Sequence, residues 1–245
     1  MKRTPKSRPE PGSLLAFGAH PDDIEFGCGG VIAVEAQAGR RVHLVICSRG
    51  EAGTCGTPRQ RVAEAKSAAK ILGATIEFLD LDGDALLEVR AAHAVKLARI
   101  LRRERPALVL APSLVENQHP DHFRLGRLVR DAARLARYGG LAPLRKLAAH
   151  AVDHLFYYAV TPEAEPRDVT PVMVDVSAPN VLAAWQASME AHASQMQVRN
   201  YSELQLTRAR MWGLRAGVGH AIPLFPNDPL VVQSLSSVSR AARRF

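Results

Sequence analysis

"LLAFGAHPDDIEFGCGG", residues 14–30, begins as an apolar run, halts at His20-Pro21-Asp22-Asp23 and passes into a glycine-rich turn. "LVLAPSLVENQHPDH", residues 108–122, follows the same plan and ends in His119-Pro120-Asp121-His122. Short apolar runs without polar alternation are the signature of strands buried on both faces. "VHLVIC" (42–47) belongs to the same class, and "TIEFLDL" (75–81) reads as a further strand. Helical stretches separate them. "GGVIAVEAQAGR" (29–40) has Gly39 as its stop, and "RQRVAEAKSAAKILG" (59–73) is opened by Pro58 and closed by Gly73. "EVRAAHAVKLARILRRERP" (88–106) runs up to Pro106.

Alternating strands and helices predict an α/β, Rossmann-like fold: a mostly parallel sheet with helices on both faces. The second half continues with a helix at about 122–137, strands near "HLFYYAV" (154–160) and "PVMVDV" (171–176), and a long helix over 179–197. No repeat or linker divides the chain. The expected organisation is a disordered basic tail over 1–13, one domain over 14–235, and a basic C-terminal tail over 236–245.

In such sheets the site lies at the carboxyl ends of the strands, where the strand order reverses. With the order 3-2-1-4-5, strands 1 and 4 are neighbours there, and both His-Pro-Asp segments arrive at one crevice. Histidine and aspartate are donors that Zn²⁺ accepts, and a catalytic zinc keeps three protein ligands. The candidates are His20, Asp22, Asp23, His119, Asp121 and His122. His20 and Asp23, three apart, can face one point across a turn, and Pro21 holds His20 extended. Asp22 then points elsewhere, free to act as a base on a metal-activated water. Gly27, Gly29 and Gly30 lack the G-x-G-x-x-G spacing of a dinucleotide loop and are read as allowing close backbone packing around the metal.

The 245 residues are 47% hydrophobic and 23% charged, a globular composition, and no apolar stretch has membrane-spanning length. The N-terminus lacks the apolar region of a secretory signal. Six of the eight excess positive charges sit in the two ends, around Lys2, Arg3, Lys6 and Arg8 and around Arg240, Arg243 and Arg244. That distribution argues against a nucleic-acid-binding face. Cys28, Cys47 and Cys55 form no CxxC pair and read as free thiols of a cytoplasmic protein.

"GAHPDDIEFGCGG" together with "HPDH" resembles the LmbE-like family, the N-acetylglucosaminyl-phosphatidylinositol de-N-acetylases (PIG-L), over most of residues 14–225. "SRGEAGTCGTPRQRVAEAKSAAKILGA", "SQMQVRNY" and "GVGHAIPLF" are most similar to its bacillithiol-biosynthesis deacetylase branch. The resemblance implies an LmbE-like deacetylase fold and one Zn²⁺ per subunit, with another divalent metal such as Fe²⁺ as the alternative. It also implies hydrolysis of the N-acetyl group of a small amino-sugar conjugate such as N-acetylglucosaminyl-malate, and a trimeric or hexameric homo-oligomer. By position, His20, Asp23 and His122 correspond to metal ligands and Asp22 to the general base. His119 corresponds to the oxyanion-steadying histidine, Asp121 to the residue orienting it, and Arg61 to a substrate-binding arginine. The chain departs from that branch at His220-Ala221-Ile222, where relatives carry Tyr-Ala-Glu, which bears on the substrate. The alternatives are a deacetylase of a chitooligosaccharide or antibiotic intermediate, and a non-enzymatic Rossmann-like nucleotide-binding module.

Among the remaining residues, His43 reads as packed within a strand, and His93, His150 and His154 as surface or core. His192 lies on the long helix and can approach the cleft. Trp185 and Trp212 read as core anchors.

Overall fold

A computed structural model describes residues 12–116, 119–197, 199–235, 238 and 240–242. Most of the two expected tails, residues 1–11 at one end and 236–237, 239 and 243–245 at the other, therefore lies outside the described residues.

The strands form one sheet. β1 (Leu14–Gly18), β2 (Val42–Ile46), β3 (Thr75–Phe78), β4 (Leu108–Pro112) and β5 (His154–Tyr158) are parallel to one another. β6 (Val172–Asp175) and β7 (Ala221–Pro226) complete it in the order β3-β2-β1-β4-β5-β7-β6, with β7 antiparallel to both of its neighbours. The order expected for the first five strands is the one found. The antiparallel extension was not anticipated, because Pro223 and Pro226 interrupt the apolar pattern of β7.

β1 explains why its sequence does not alternate. Leu14 and Ala16 pack into a core on one face of the sheet, with Leu44, Ile46, Trp185 and Met189. Leu15 and Phe17 pack into a second core on the other face, with Val45, Leu97, Leu101 and Leu125. Helices cover both faces: α1 (Asp23–Gln37) and α5 (Pro179–Glu190) contribute to the first core, and α3 (Ala91–Glu104) and α4 (Pro120–Arg137) to the second. Each such leucine or phenylalanine removed from water contributes about 1.5–3 kcal/mol.

Two helices differ from expectation. α1 begins at Asp23, directly after the first His-Pro-Asp, so the glycines lie inside it. They pack against side chains of the protein rather than around a metal. A Cβ on Gly29 would stand 2.7 Å from Trp185 Cδ1, and Gly27 abuts the Tyr158 ring. The helix kinks at Cys28 (φ −149°), and the Glu25 carbonyl accepts the Trp185 indole N–H at 2.7 Å. The single helix expected over 179–197 is two, α5 and the short α6 (Ala193–Met196), broken where His192 adopts non-helical angles. α2 (Pro58–Ile71) starts at Pro58 as expected, with the Thr57 side chain capping Gln60 N–H. α7 (Tyr201–Ala216) had no expectation attached to it. No helix among the described residues is long and apolar enough to cross a membrane.

Candidate metal centre and active site

The turns beyond β1 and β4 meet. His20 Nδ1 lies 3.3 Å from His122 Nε2 and 3.4 Å from Asp23 Oδ2, and His122 Nε2 lies 3.0 Å from Asp23 Oδ1. Two ligand atoms held about 2.0–2.1 Å from a tetrahedral Zn²⁺ stand roughly 3.3 Å apart. Two imidazoles and a carboxylate converging at that spacing fit a borderline-soft divalent ion. All three side chains are buried. Asp23 is further fixed by the backbone N–H groups of Ala19 and His20, both donating to Oδ2 at 2.9 Å.

The electrostatics follow from burial and crowding. Burial alone would raise Asp23, yet the imidazoles of His122 and His20 hold its carboxyl well below the usual range. Burial would lower His20, but Asp23, Asp121 and Asp84 outweigh it and raise His20 well above an ordinary histidine. His119 goes the other way: burial, then the cationic forms of His20 and His122, lower it.

Asp22 stands at the N-cap of α1 with φ 125° and ψ −26°. Such a conformation costs a non-glycine residue about 1–3 kcal/mol and persists only where the surroundings impose it. The Asp22 carboxylate meets Arg61, whose Nη2 lies 3.3 Å from Asp22 Oδ2. Burial and the neighbouring Asp23 carboxylate push Asp22 up to about 6, against the pull of His192, Arg61 and His20.

Arg61 is not the solvated helix-start residue its position suggests. It is buried, and also donates to the carbonyls of Pro21 (3.2 Å) and Gly50 (3.3 Å). Gly50, at φ +75°, packs directly against the guanidinium, where a side chain would collide with it.

His119 caps α4, its Nδ1 accepting the Asp121 N–H at 3.4 Å, and its ring centroid is 4.3 Å from that of His20. Asp121 reaches His119 through that backbone group. Its carboxylate faces His20 Nε2 at 3.4 Å and accepts the Ala85 N–H at 2.7 Å. His20, Asp22, Asp23, Arg61, His119 and His122 line a cleft of about 480 Å³ whose wall also includes Thr54, Gln195 and Tyr201. Phe26 stacks on Tyr201 with ring centroids 5.0 Å apart. A larger hollow of about 630 Å³ beside Arg130, Arg134 and Arg137 lies away from the imidazoles.

Asp84 is the site residue that the sequence reading missed. It is buried in the cleft wall, with Oδ1 3.0 Å from His20 Nε2. Its signal was the acidic stretch "LDLDGDALLE" (79–88), too long a loop to be a simple connection. His192 is fully buried behind the cleft, 3.5 Å from Glu25 Oε2. Three other histidines bind structural partners: His43 meets Thr75 and Glu77, His93 the Glu88 carbonyl, and His150 the Pro106 carbonyl, while His154 is exposed and stacks on Phe156. Cys28, Cys47 and Cys55 are free thiols, and Trp185 and Trp212 are buried.

The sequence profile of the GlcNAc-PI de-N-acetylases (PIG-L) matches residues 15–133, a span that holds both His-Pro-Asp segments. The chain belongs to this family. A conserved protein of Thermus thermophilus shares the fold throughout. It is 33% identical, with a TM-score of 0.82, and the match covers 94% of this chain and 100% of that one. The family's relatives differ in chemistry. The chain is 33% identical to a 4-oxalmesaconate hydratase of Pseudomonas putida, over 55% of this chain and 57% of that protein's length. It is 29% identical to a diacetylchitobiose deacetylase of Thermococcus kodakarensis, over 74% of this chain and 69% of the relative.

Proposed function

We propose that the protein is a metal-dependent de-N-acetylase that hydrolyses the acetamide of an N-acetylglucosamine conjugate, releasing acetate and a free amine. The observation that carries this reading is the meeting of His20 Nδ1, Asp23 and His122 Nε2, with Asp22 held by Arg61 at their side and a ring nitrogen of His119 within 4.8 Å of those of His20 and His122. Family membership and the similarity to the diacetylchitobiose deacetylase support it.

His20, Asp23 and His122 would hold one Zn²⁺, with Fe²⁺ as the alternative ion. Bound there, the ion supplies Lewis acidity and lowers the pKa of a water molecule toward neutrality. Asp22 takes the proton of the attacking water at its carboxylate, and Arg61 keeps that carboxylate in place. His119 donates a hydrogen bond to the oxygen on which charge develops, and a proton returns from Asp22 or His119 to the departing nitrogen. The Thr54, Gln195 and Tyr201 side of the cleft receives the sugar. The free thiols fit a reducing compartment, the cytoplasm.

The test is acetate release from N-acetylglucosamine, N-acetylglucosaminyl-malate and diacetylchitobiose, before and after chelation and zinc readdition. Zinc-restored release from one of them is expected. The similarity to the P. putida hydratase supports a second reading, hydration of an unsaturated tricarboxylate. Turnover of 4-oxalmesaconate with no acetate from any sugar would favour it. A nucleotide-binding module would hold no stoichiometric metal.

A further inference from the structure

His20 has two different environments on its two ring nitrogens. Nδ1 faces the point where Asp23 and His122 converge. Nε2 faces two buried carboxylates, Asp84 Oδ1 at 3.0 Å and Asp121 Oδ2 at 3.4 Å. Neither acid is there by accident of flexibility. Asp121 Oδ2 accepts the Ala85 N–H at 2.7 Å, while Asp84 Oδ2 accepts the Ala52 N–H at 3.3 Å and stands 3.9 Å from Arg61 Nη1. Arg124 lies 3.5 Å from the other Asp121 oxygen. These donors offset the repulsion between two acids sharing one N–H.

The chain goes to some length to deliver Asp84. β3 is separated from β1 by β2, so a short turn after β3 would not reach the metal position. The connection over 79–90 instead crosses to it, and does so with positive φ at Asp82 (73°) and Ala85 (65°). Left-handed angles at non-glycine residues are strained, and the segment that holds them brings the Asp84 carboxylate to His20 Nε2 and the Ala85 N–H to Asp121 Oδ2.

We propose that Asp84 and Asp121 form a two-carboxylate clamp that holds His20 as the Nε2–H tautomer, leaving Nδ1 as the metal-ligating atom. Asp121 is then a positioning residue for His20, and Asp84 is its partner from the opposite loop. A histidine ligand that donates its second N–H to a carboxylate is fixed in orientation and made more basic, and loss of such a partner costs about 10–100-fold in metal affinity. The inference rests on the metal-centre reading above.

Zinc dissociation constants from chelator competition, with far-UV circular dichroism as the fold control, test it on the full chain. Asp84→Ala and Asp121→Ala are each expected to weaken zinc binding about 10–100-fold. Asp84→Asn, whose amide oxygen still accepts the N–H, is expected to retain an intermediate affinity, which a purely space-filling role would not predict. In ¹⁵N-histidine spectra, zinc-loaded parent protein should show His20 protonated at Nε2. An Asp84→Ala protein that binds zinc as tightly as the parent, or a His20 protonated at Nδ1, would overturn the clamp alone. The donor atoms of His20, Asp84, His119 and Asp121 also lie within 4.8 Å of one another. A titration showing two zinc ions per chain would make the acids ligands of a second ion and would likewise overturn it. A parent that binds no zinc would remove the metal-centre reading as well.

Discussion

His20 Nδ1 and His122 Nε2 lie 3.3 Å apart across 102 positions of sequence. The contact exists because β1 pairs with β4 in parallel register, Leu14 opposite Leu108 and Ala16 opposite Leu110, so the turns that follow both strands leave the sheet at the same edge. The metal-centre account has consequences for individual side chains.

Asp22→Asn removes the proposed base without touching His20, Asp23 or His122. Zinc content should stay at the parent level, while acetate release falls about 10²–10⁴-fold, the usual contribution of a positioned base. Metal analysis and initial rates on the same preparation check it. An Asn variant with parental turnover would assign the proton transfer elsewhere.

Arg61→Lys keeps the charge and loses the fork. A single ammonium cannot reach Asp22, the Pro21 carbonyl and the Gly50 carbonyl together, so Asp22 loses its fixed orientation. We expect kcat to fall tenfold or more with little change in zinc affinity. Steady-state kinetics beside chelator competition would show whether the two effects separate in this way.

Gly29→Ala tests the packing of α1. The added methyl would stand 2.7 Å from Trp185 Cδ1 and 3.0 Å from its Nε1, in a fully buried ring that also holds the Glu25 carbonyl. Overpacking of this kind costs about 1–3 kcal/mol. Tm should drop by several degrees, and an unchanged melting curve would mean that the indole moves freely.

His192 links stability to pH. Burial would lower it, but Glu25, then Asp22 and Glu64, outweigh the burial and raise it above an ordinary histidine. A raised folded value means the stabilisation is complete below the unfolded value, near 6.5, and is lost as pH rises through the folded one. The Tm gap between the parent and His192→Gln should therefore be wider at about pH 6 than at about pH 9. A gap that is constant or grows with pH would show that His192 is not held as a cation.

Much of this arrangement was legible in the sequence, for physical reasons. β1 and β4 are buried on both faces and so read as unbroken apolar runs, and a parallel sheet puts the segments that follow them together. Asp84 was not legible, since it arrives from the end of β3 through a long loop whose path depends on strained residues. The break at His192 was hidden because "MEAHASQM" has ordinary helical composition. α7 was hidden for the opposite reason. Its buried face carries Ser202, Gln205, Arg208 and Gly213 beside Ala209 and Trp212, so no apolar stripe marks it. Arg61 was placed near the substrate by resemblance, but its burial under Gly50 needed coordinates.

The most direct test of the central claim is zinc content per chain, measured by elemental analysis on the purified parent and on His122→Ala. One zinc per parent chain and less than a tenth of that in the variant would be the outcome of a single ion gripped from both turns. A parent without stoichiometric divalent metal, or a variant that keeps all of it, would contradict the account.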